Sequence, residues 1–332
     1  MAHWQRRLLR RPTQVAVLVI SLGLALGFTV ATDGVWATPA SLREVLRVTC
    51  ILAILAFGEA LVITTGEIDI SVGSVFGIAG IAYLGLIPSV GVPLALVAAL
   101  AVAIGVGVAN GFIVTRWAIP SLIATLGMLF ILRGLAVASA STNAKTASAE
   151  TRLDPLLGLF GGFEPGGFSI VILWTVVLGV VLHYMLFWTP LGNRLLAVGG
   201  DAMSARSRGV SVSRTKQAAF IACAGLAGLA GILEASKLGY ADGATGRDNE
   251  LSAIAAAVLG GCALAGGRSS IGGTFLGAFI LSGIASYLFL ERVQPQWYVL
   301  LLGFIIVVVS LLDRSFATLV NRLESQRSLG ST

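Results

Sequence analysis

Between Gly199 and Lys216 the chain reads GGDAMSARSRGVSVSRTK, which gathers one Asp, three Arg and one Lys between two long apolar runs. Only 11% of the whole sequence is charged. The residue types suit a short helix. Asp201 can cap it by accepting from backbone N–H groups, and Ala202 to Arg208 favour the helical turn. Arg206 and Arg208 sit near the negative end of its dipole, and Gly209 suits the left-handed residue that stops it. At 1.5 Å per residue such a helix is about 10 Å long. Ala202 and Ala205 fall on one face with Gly209 just beyond, and the arginines project from the rest. Two readings stay open: basic anchors for a loop, or a compact helix shaped to enter a groove on another protein.

Charges inside apolar runs form the second group of candidates, because each is costly and faces a partner or a watery cavity. Glu59 and Arg133 fall within predicted spans, and Glu67 and Asp69 at a junction between two. An ion pair between Glu59 and Arg133 is one expectation; interhelical glue without a substrate role is the other. Asp69, followed by Ser71 and Gly73, has the pattern of a helix N-terminus, where an acid satisfies free N–H groups. Asp69, Ser71, Thr125 and Arg133 are the candidates for a translocation path or its gate. No phosphate-binding loop, nucleophile elbow or zinc helix motif is visible, so no enzymatic activity and no cofactor is expected. Cys50, Cys223 and Cys262 lie in apolar windows without metal-ligand spacing, and His183, near the end of a span, reads as interfacial.

These candidates sit in a frame set by composition. With 332 residues, 56% of them hydrophobic, 41 Gly and a mean hydropathy of +0.92, the chain lies far from soluble domains. A hydrocarbon core of about 30 Å needs roughly 20 apolar residues per helix, about twice what a barrel strand needs, so the expected fold is all-α and polytopic. Ten spans are predicted: Thr13 to Ala31, Val45 to Thr65, Ile70 to Ile87, Val92 to Thr115, Pro120 to Ser139, Phe168 to Trp188, Thr215 to Lys237, Leu251 to Gly266, Ile271 to Leu290 and Trp297 to Leu312. The first, though followed by the cleavage-like VWATPA, has an apolar run longer than the about 7 to 15 residues of a signal peptide core and is expected to be retained.

Arg6, Arg7, Arg10 and Arg11 put the N-terminus in the cytoplasm by the positive-inside rule. Counting forward places Arg116, the 199–216 stretch, Arg268 and the tail with Arg314, Arg322 and Arg327 on the same side. The loop 140–167 and the acidic YADGATGRDNE fall outside. The net charge of +6 is thus read as orientation, with no nucleic acid implied. Five spans per half suggest an inverted repeat, 1–139 and 168–313 about the external loop 140–167, followed by the cytoplasmic tail 314–332. The third and eighth spans both start acidic and become Gly-rich, and Gly107 with Gly111 echoes Gly273 with Gly277. Close helix packing alone yields the same glycine pattern.

Four strings in order between residues 50 and 313 carry a more specific likeness: TTGEIDISVGS, IPSLIATLGMLFILRGLA, GNRLLAVGGDAMSARSRGVSV and IAAAVLGGCALAGGRSSIGGTFLGA. They closely resemble segments of ribose-type sugar permeases, the membrane subunits of bacterial ATP-binding-cassette importers. The resemblance implies a ten-span subunit of the cytoplasmic (inner) membrane, paired with itself or a close relative. It also implies two cytoplasmic ATPase subunits and a periplasmic or lipid-tethered sugar-binding protein as partners. By the same likeness a coupling helix falls at Gly199 to Val210, with Ala205, Arg206 and Gly209 in its best-kept part, so Asp201, Ala205, Arg206, Arg208, Gly209 and Val210 are the expected coupling residues. Glu67 departs from the family, which usually has Gly there, and this puts the shape of that turn in question. The function implied is import of a monosaccharide, a pentose or a related small polyol-like ligand, by alternating access. The alternative is a stand-alone secondary transporter or channel, which would want more ionisable groups near the midplane.

Overall fold

The computed structural model describes residues 12–140 and 144–311; the basic residues near both termini that entered the topology count lie outside these. Among the described residues, eleven helices of six residues or more organise the fold: α1 (Pro12–Ala31), α2 (Pro39–Thr64), α3 (Val72–Arg116), α4 (Ser121–Ala140), α5 (Val171–Trp188), α6 (Pro190–Gly200), α7 (Ala202–Ser207), α8 (Val212–Leu238), α9 (Asn249–Leu259), α10 (Ile271–Leu290) and α11 (Gln296–Leu311). Among the described residues, α1, α2, α3, α4, α5, α8 and α10 are long and apolar enough to cross a bilayer. The protein is an all-α membrane protein. Local chemistry starts two of the helices in the same way. Thr38 before Pro39 accepts from the Ser41 N–H, and Thr189 before Pro190 accepts from the Gly192 N–H. Proline at the first position costs nothing, because that N–H has no helical partner.

The 45 residues of α3 are two helical arms joined by a sharp turn. Gly91 has φ 77° and ψ 168°, a conformation open to glycine and strained for other residues, and it breaks the helix between Pro88 and Pro93. Asn110 on the second arm donates to the Ser71 hydroxyl at 2.9 Å. A straight helix would hold residues 71 and 110 about 58 Å apart, so the arms must run antiparallel. The third and fourth predicted spans fall on these two arms.

At the centre, α2 is buried along most of its length, and α8 lies against both arms of α3. Glycines make that approach possible. A methyl group at Gly107 would strike the Phe220 backbone, one at Gly231 the Phe76 carbonyl, and one at Gly228 the side chain of Ala103. Bilayer helices associate through close packing rather than water exclusion, so small residues belong at such crossings. Both glycine pairs noted in the sequence lie at crossings, Gly107 and Gly111 on α8, Gly273 and Gly277 on α9 and its C-terminal turn.

The connections sort into two ends. At one end Lys145–Thr146 (β1) pairs antiparallel with Tyr240–Ala241 (β2), Arg152 donates to the carbonyls of Leu238 and Gly239 at 3.2 Å, and Lys237 pairs with Glu164. At the other, Gln14 Nε2 donates to Ser270 Oγ at 2.6 Å, Gly267 N–H to the Thr64 carbonyl at 3.0 Å, and Lys216 pairs with Glu67. Segments expected on one side of the membrane thus meet segments expected on that same side. One predicted span is corrected. The eighth is helical only over Asn249–Leu259, not to Gly266, because Gly261, Gly266 and Gly267 all adopt positive φ and turn the chain into a tight loop.

Gly231→Val should cost about 1–3 kcal/mol or more through overpacking against the Phe76 carbonyl, read as a lowered melting temperature in detergent. Gly225→Ala, whose methyl meets only the Ile104 side chain at 3.7 Å, should leave melting unchanged.

Candidate functional site

The short basic helix forms as its residues dictate. Asp201 Oδ1 accepts the N–H groups of Met203 at 2.9 Å and Ser204 at 3.0 Å, while Ser204 Oγ donates to Oδ2 at 2.6 Å. The Ser204 hydroxyl first, and then these N–H groups, hold the Asp201 carboxyl below the ordinary carboxylate range. A lowered value in the folded state means the cap is complete above the unfolded pKa of about 3.9 and is lost only as acid moves below it. At the other end Gly209 has φ 83°, its N–H reaches the Arg206 carbonyl at 2.9 Å, and the Val210 N–H reaches the Ala205 carbonyl at 3.0 Å. These paired bonds satisfy the last carbonyls and stop α7.

Its faces differ from the expectation. Ala202 and Ala205 do not form a shared small face: Ala205 is buried against the protein's own helices and Ala202 is exposed. The outward surface carries Met203, 83% exposed, with Arg206, Ser207 and Arg208. Met203 went unremarked in the sequence, where a lone Met between small residues has no periodicity to flag it.

A second cluster brackets the loop between α2 and α3. Asp69 accepts from the Ser71 N–H at 2.9 Å and the Ser71 hydroxyl at 2.6 Å, and Asn110 Nδ2 lies 3.3 Å from its Oδ2. Ser121 and Thr125, on the first turns of α4, accept the N–H groups of Ile68 at 3.3 Å and Ile70 at 3.1 Å. Asp69, Ser71, Asn110 and Thr125 are all fully buried or nearly so. Asp69, Ser71 and Thr125 are therefore brought together, with Asp69 folding the turn before α3. Asn110 was the residue missed: a lone Asn within an apolar run was its signal. The question raised by Glu67 also has an answer. The positive φ belongs to Gly66, Glu67 is free of it, and its carboxylate pairs with Lys216.

Arg133 lies elsewhere, about 12 Å along α4 from Thr125. The expected pair with Glu59 is not made. Arg133 Nη2 meets Glu250 Oε1 at 2.8 Å, joining α4 to the first turn of α9, with side chains 26% and 5% exposed. Glu59 instead faces Cys223, whose Sγ lies 3.9 Å from Oε1, and its Oε2 has no hydrogen-bond partner among the described residues. The reason is placement: Glu59 is on the enclosed centre of α2 and Arg133 on the far side of the first arm of α3. Packing fixes Glu250 further, since a methyl group at Gly73 would occupy the position of its carboxylate.

A polytopic helical scaffold with buried polar turns, an interhelical ion pair and an exposed capped helix has the organisation of a transport permease. The family described as branched-chain amino acid transport system, permease component, matches residues 41–310. The chain belongs to that permease family. It is 33% identical over 307 residues to the ribose import permease protein of Escherichia coli K12, covering 92% of this chain and 94% of that protein. It is 35% identical over 291 residues to the autoinducer 2 import system permease protein of Enterobacter sp. strain 638, covering 86% and 82%. The corresponding Salmonella typhi permease is 32% identical over 313 residues, covering 91% and 85%.

Removing one partner of the Arg133–Glu250 pair should cost about 3 kcal/mol, because the other charge stays in a poorly solvated place. In a double-mutant cycle read by thermal melting, Arg133→Met with Glu250→Leu should be milder than either single change. Arg133→Met with Glu59→Gln should be additive.

Proposed function

We infer that the chain is the membrane-spanning permease of an ATP-binding-cassette importer for a monosaccharide, a pentose or related small polyol-like ligand. It works by alternating access in the bacterial cytoplasmic membrane, with both termini cytoplasmic. One observation carries this reading. α7 is locked at both ends and seated through Ala205, and it offers Met203, Arg206 and Arg208 outward, a preformed surface with nothing of its own chain to cover it among the described residues. A cytoplasmic ATPase subunit is the partner assigned to that surface. ATP hydrolysis then belongs to a separate chain, and Asp201, Ala205, Arg206, Arg208, Gly209 and Val210 pass its movement to α8.

The cargo follows from the ribose importer, which matches over nearly its whole length, and the autoinducer 2 and branched-chain amino acid descriptions indicate how widely one scaffold serves. Such breadth fits a path that selects little, with choice made by a periplasmic or lipid-tethered binding protein. A second permease, identical or paralogous, completes the path. Asp69, Ser71, Thr125 and Arg133 contribute to the path or its gate, and Glu250 joins them as the partner of Arg133. Ten crossings are proposed: α1, α2, two arms of α3, α4, α5, α8, α9 with the segment after it, α10 and α11. They divide as 1–139 and 168–313 about an external 140–167, with 314–332 as a cytoplasmic tail. The packing of α8 on α3 and of α2 on α10 supports inverted halves, since each contact becomes the other when the halves are exchanged.

In vesicles containing the permease, its ATPase and its binding protein, Met203→Asp and Arg206→Glu should each abolish ATP-driven uptake of labelled ribose and co-purification of the ATPase. Both variants should still extract as folded protein. Uptake by this chain alone, without ATP, would establish the stand-alone carrier or channel instead.

A further inference from the structure

The chain on either side of α7 is tied to the turn between α2 and α3. Just before α7, Gly199 lies against the last residue of α2, where an added methyl group would strike the Thr64 carbonyl and the Gly267 backbone nitrogen. Beyond it, Lys216 near the start of α8 pairs with Glu67 in the turn itself, with side chains 22% and 15% exposed. The first tie is backbone against backbone; the second joins two half-buried charges. Glu67 leads into the segment that carries Asp69, and that segment also has holds on α3 and α4. Asn110 of α3 donates to the Ser71 hydroxyl at 2.9 Å, and the Ile68 and Ile70 N–H groups rest on Ser121 and Thr125 of α4 at 3.3 and 3.1 Å.

Relative strength decides which neighbour the turn follows when these helices part. The holds on α4 are two hydrogen bonds between neutral groups, both at the long end of the range, whereas the hold on α8 is charge-assisted and so roughly twice as strong as a neutral bond. α8 is also locked to α3 beside the pair, since a methyl group at Gly111 would press on the backbone and side chain of Gln217, the neighbour of Lys216. We propose that Glu67 and Lys216 are positioning residues for transport, whose pair stays closed through the cycle and draws the Asp69 turn along with α8, so that the turn separates from α4. Movement received at α7 then reaches Asp69 and Ser71 through one ion pair. The proposal rests on the reading of α7 as the surface that an ATPase subunit moves.

The test uses vesicles holding the full chain, its ATPase and its binding protein, and reads labelled ribose imported per ATP hydrolysed beside co-purification of the ATPase and thermal melting. Glu67→Gln and Lys216→Met should each import about tenfold less per ATP hydrolysed, with the ATPase still bound and active. A pair that only stabilised the fold would lower melting and leave that ratio where it was. Exchanging the charges, Glu67→Lys with Lys216→Glu, should restore the ratio. So should a short bis-methanethiosulfonate bridge between Glu67→Cys and Lys216→Cys, and reductant should abolish the gain. A wild-type ratio in Glu67→Gln, an exchanged pair that melts normally yet stays uncoupled, or a bridge that blocks uptake would each overturn the proposal and leave the transport reading in place. A wild-type chain that binds no ATPase would overturn that reading, and this proposal with it.

Discussion

A chain that breaks its helices inside the packed protein frees N–H and C=O groups that no water can satisfy, and this structure depends on how two such buried interruptions are braced. The first, between α2 and α3, is held by side chains. Ser121 and Thr125 take the N–H groups of Ile68 and Ile70, and Asp69, tied to Asn110, takes that of Ser71. The second, between α9 and α10, is held mainly by backbone: Gly267 donates to the Thr64 carbonyl, and Ser270 caps α10 by accepting from Gly273. The two interruptions therefore meet, since Thr64 is the last residue of α2 and opens the first of them. Polar residues are costly in lipid and are retained where they offset a larger backbone debt.

That requirement decides where the small residues go. A polar turn must be buried in protein, so the helices around it must approach closely, and glycine at positions 107, 111, 228 and 231 lets α8 lie against both arms of α3. Large aliphatic residues are displaced to the outside, where α1 and α5 carry rows of exposed Val, Leu and Ile. The pattern inverts that of a soluble bundle because the outer medium is itself apolar.

Much of this was legible in the sequence, for identifiable reasons. Span positions follow from apolar runs, and α7 follows from residues whose capping chemistry is local: Asp201 and Gly209 act within four positions of the groups they satisfy. The glycine pairs at 107/111 and 273/277 marked real crossings. What escaped were interactions set by distance through space. Arg133 chooses Glu250, 117 positions away, over Glu59, because the first arm of α3 stands between Arg133 and Glu59, and Gly73 leaves room beside Glu250. The outward face of α7 was misjudged for the same reason, since which side of a six-residue helix is covered depends on α6 and α8 rather than on its own composition. The eighth span was drawn too long because hydropathy does not register the positive φ of Gly261, Gly266 and Gly267.

The same contacts constrain how movement at α7 would spread. Only Arg208 to Ser211 separates α7 from α8, and both Gly209 and Val210 are already committed to carbonyls of α7, so little slack remains in the joint. α8 in turn cannot slide along α3, because Gly107 and Gly231 bring backbone against backbone and any axial shift would drive Cβ atoms of neighbouring residues into those contacts. A push on the outward face of α7 must therefore move α8 and the α3 hairpin as one body, carrying Asn110 and Asp69 with it. The weaker seams are those closed by side chains alone: the Arg133–Glu250 pair between α4 and α9, and the Gln14–Ser270 bridge between α1 and α10. Alternating access in this fold would open along such seams, since side chains can exchange partners where interlocked backbones cannot.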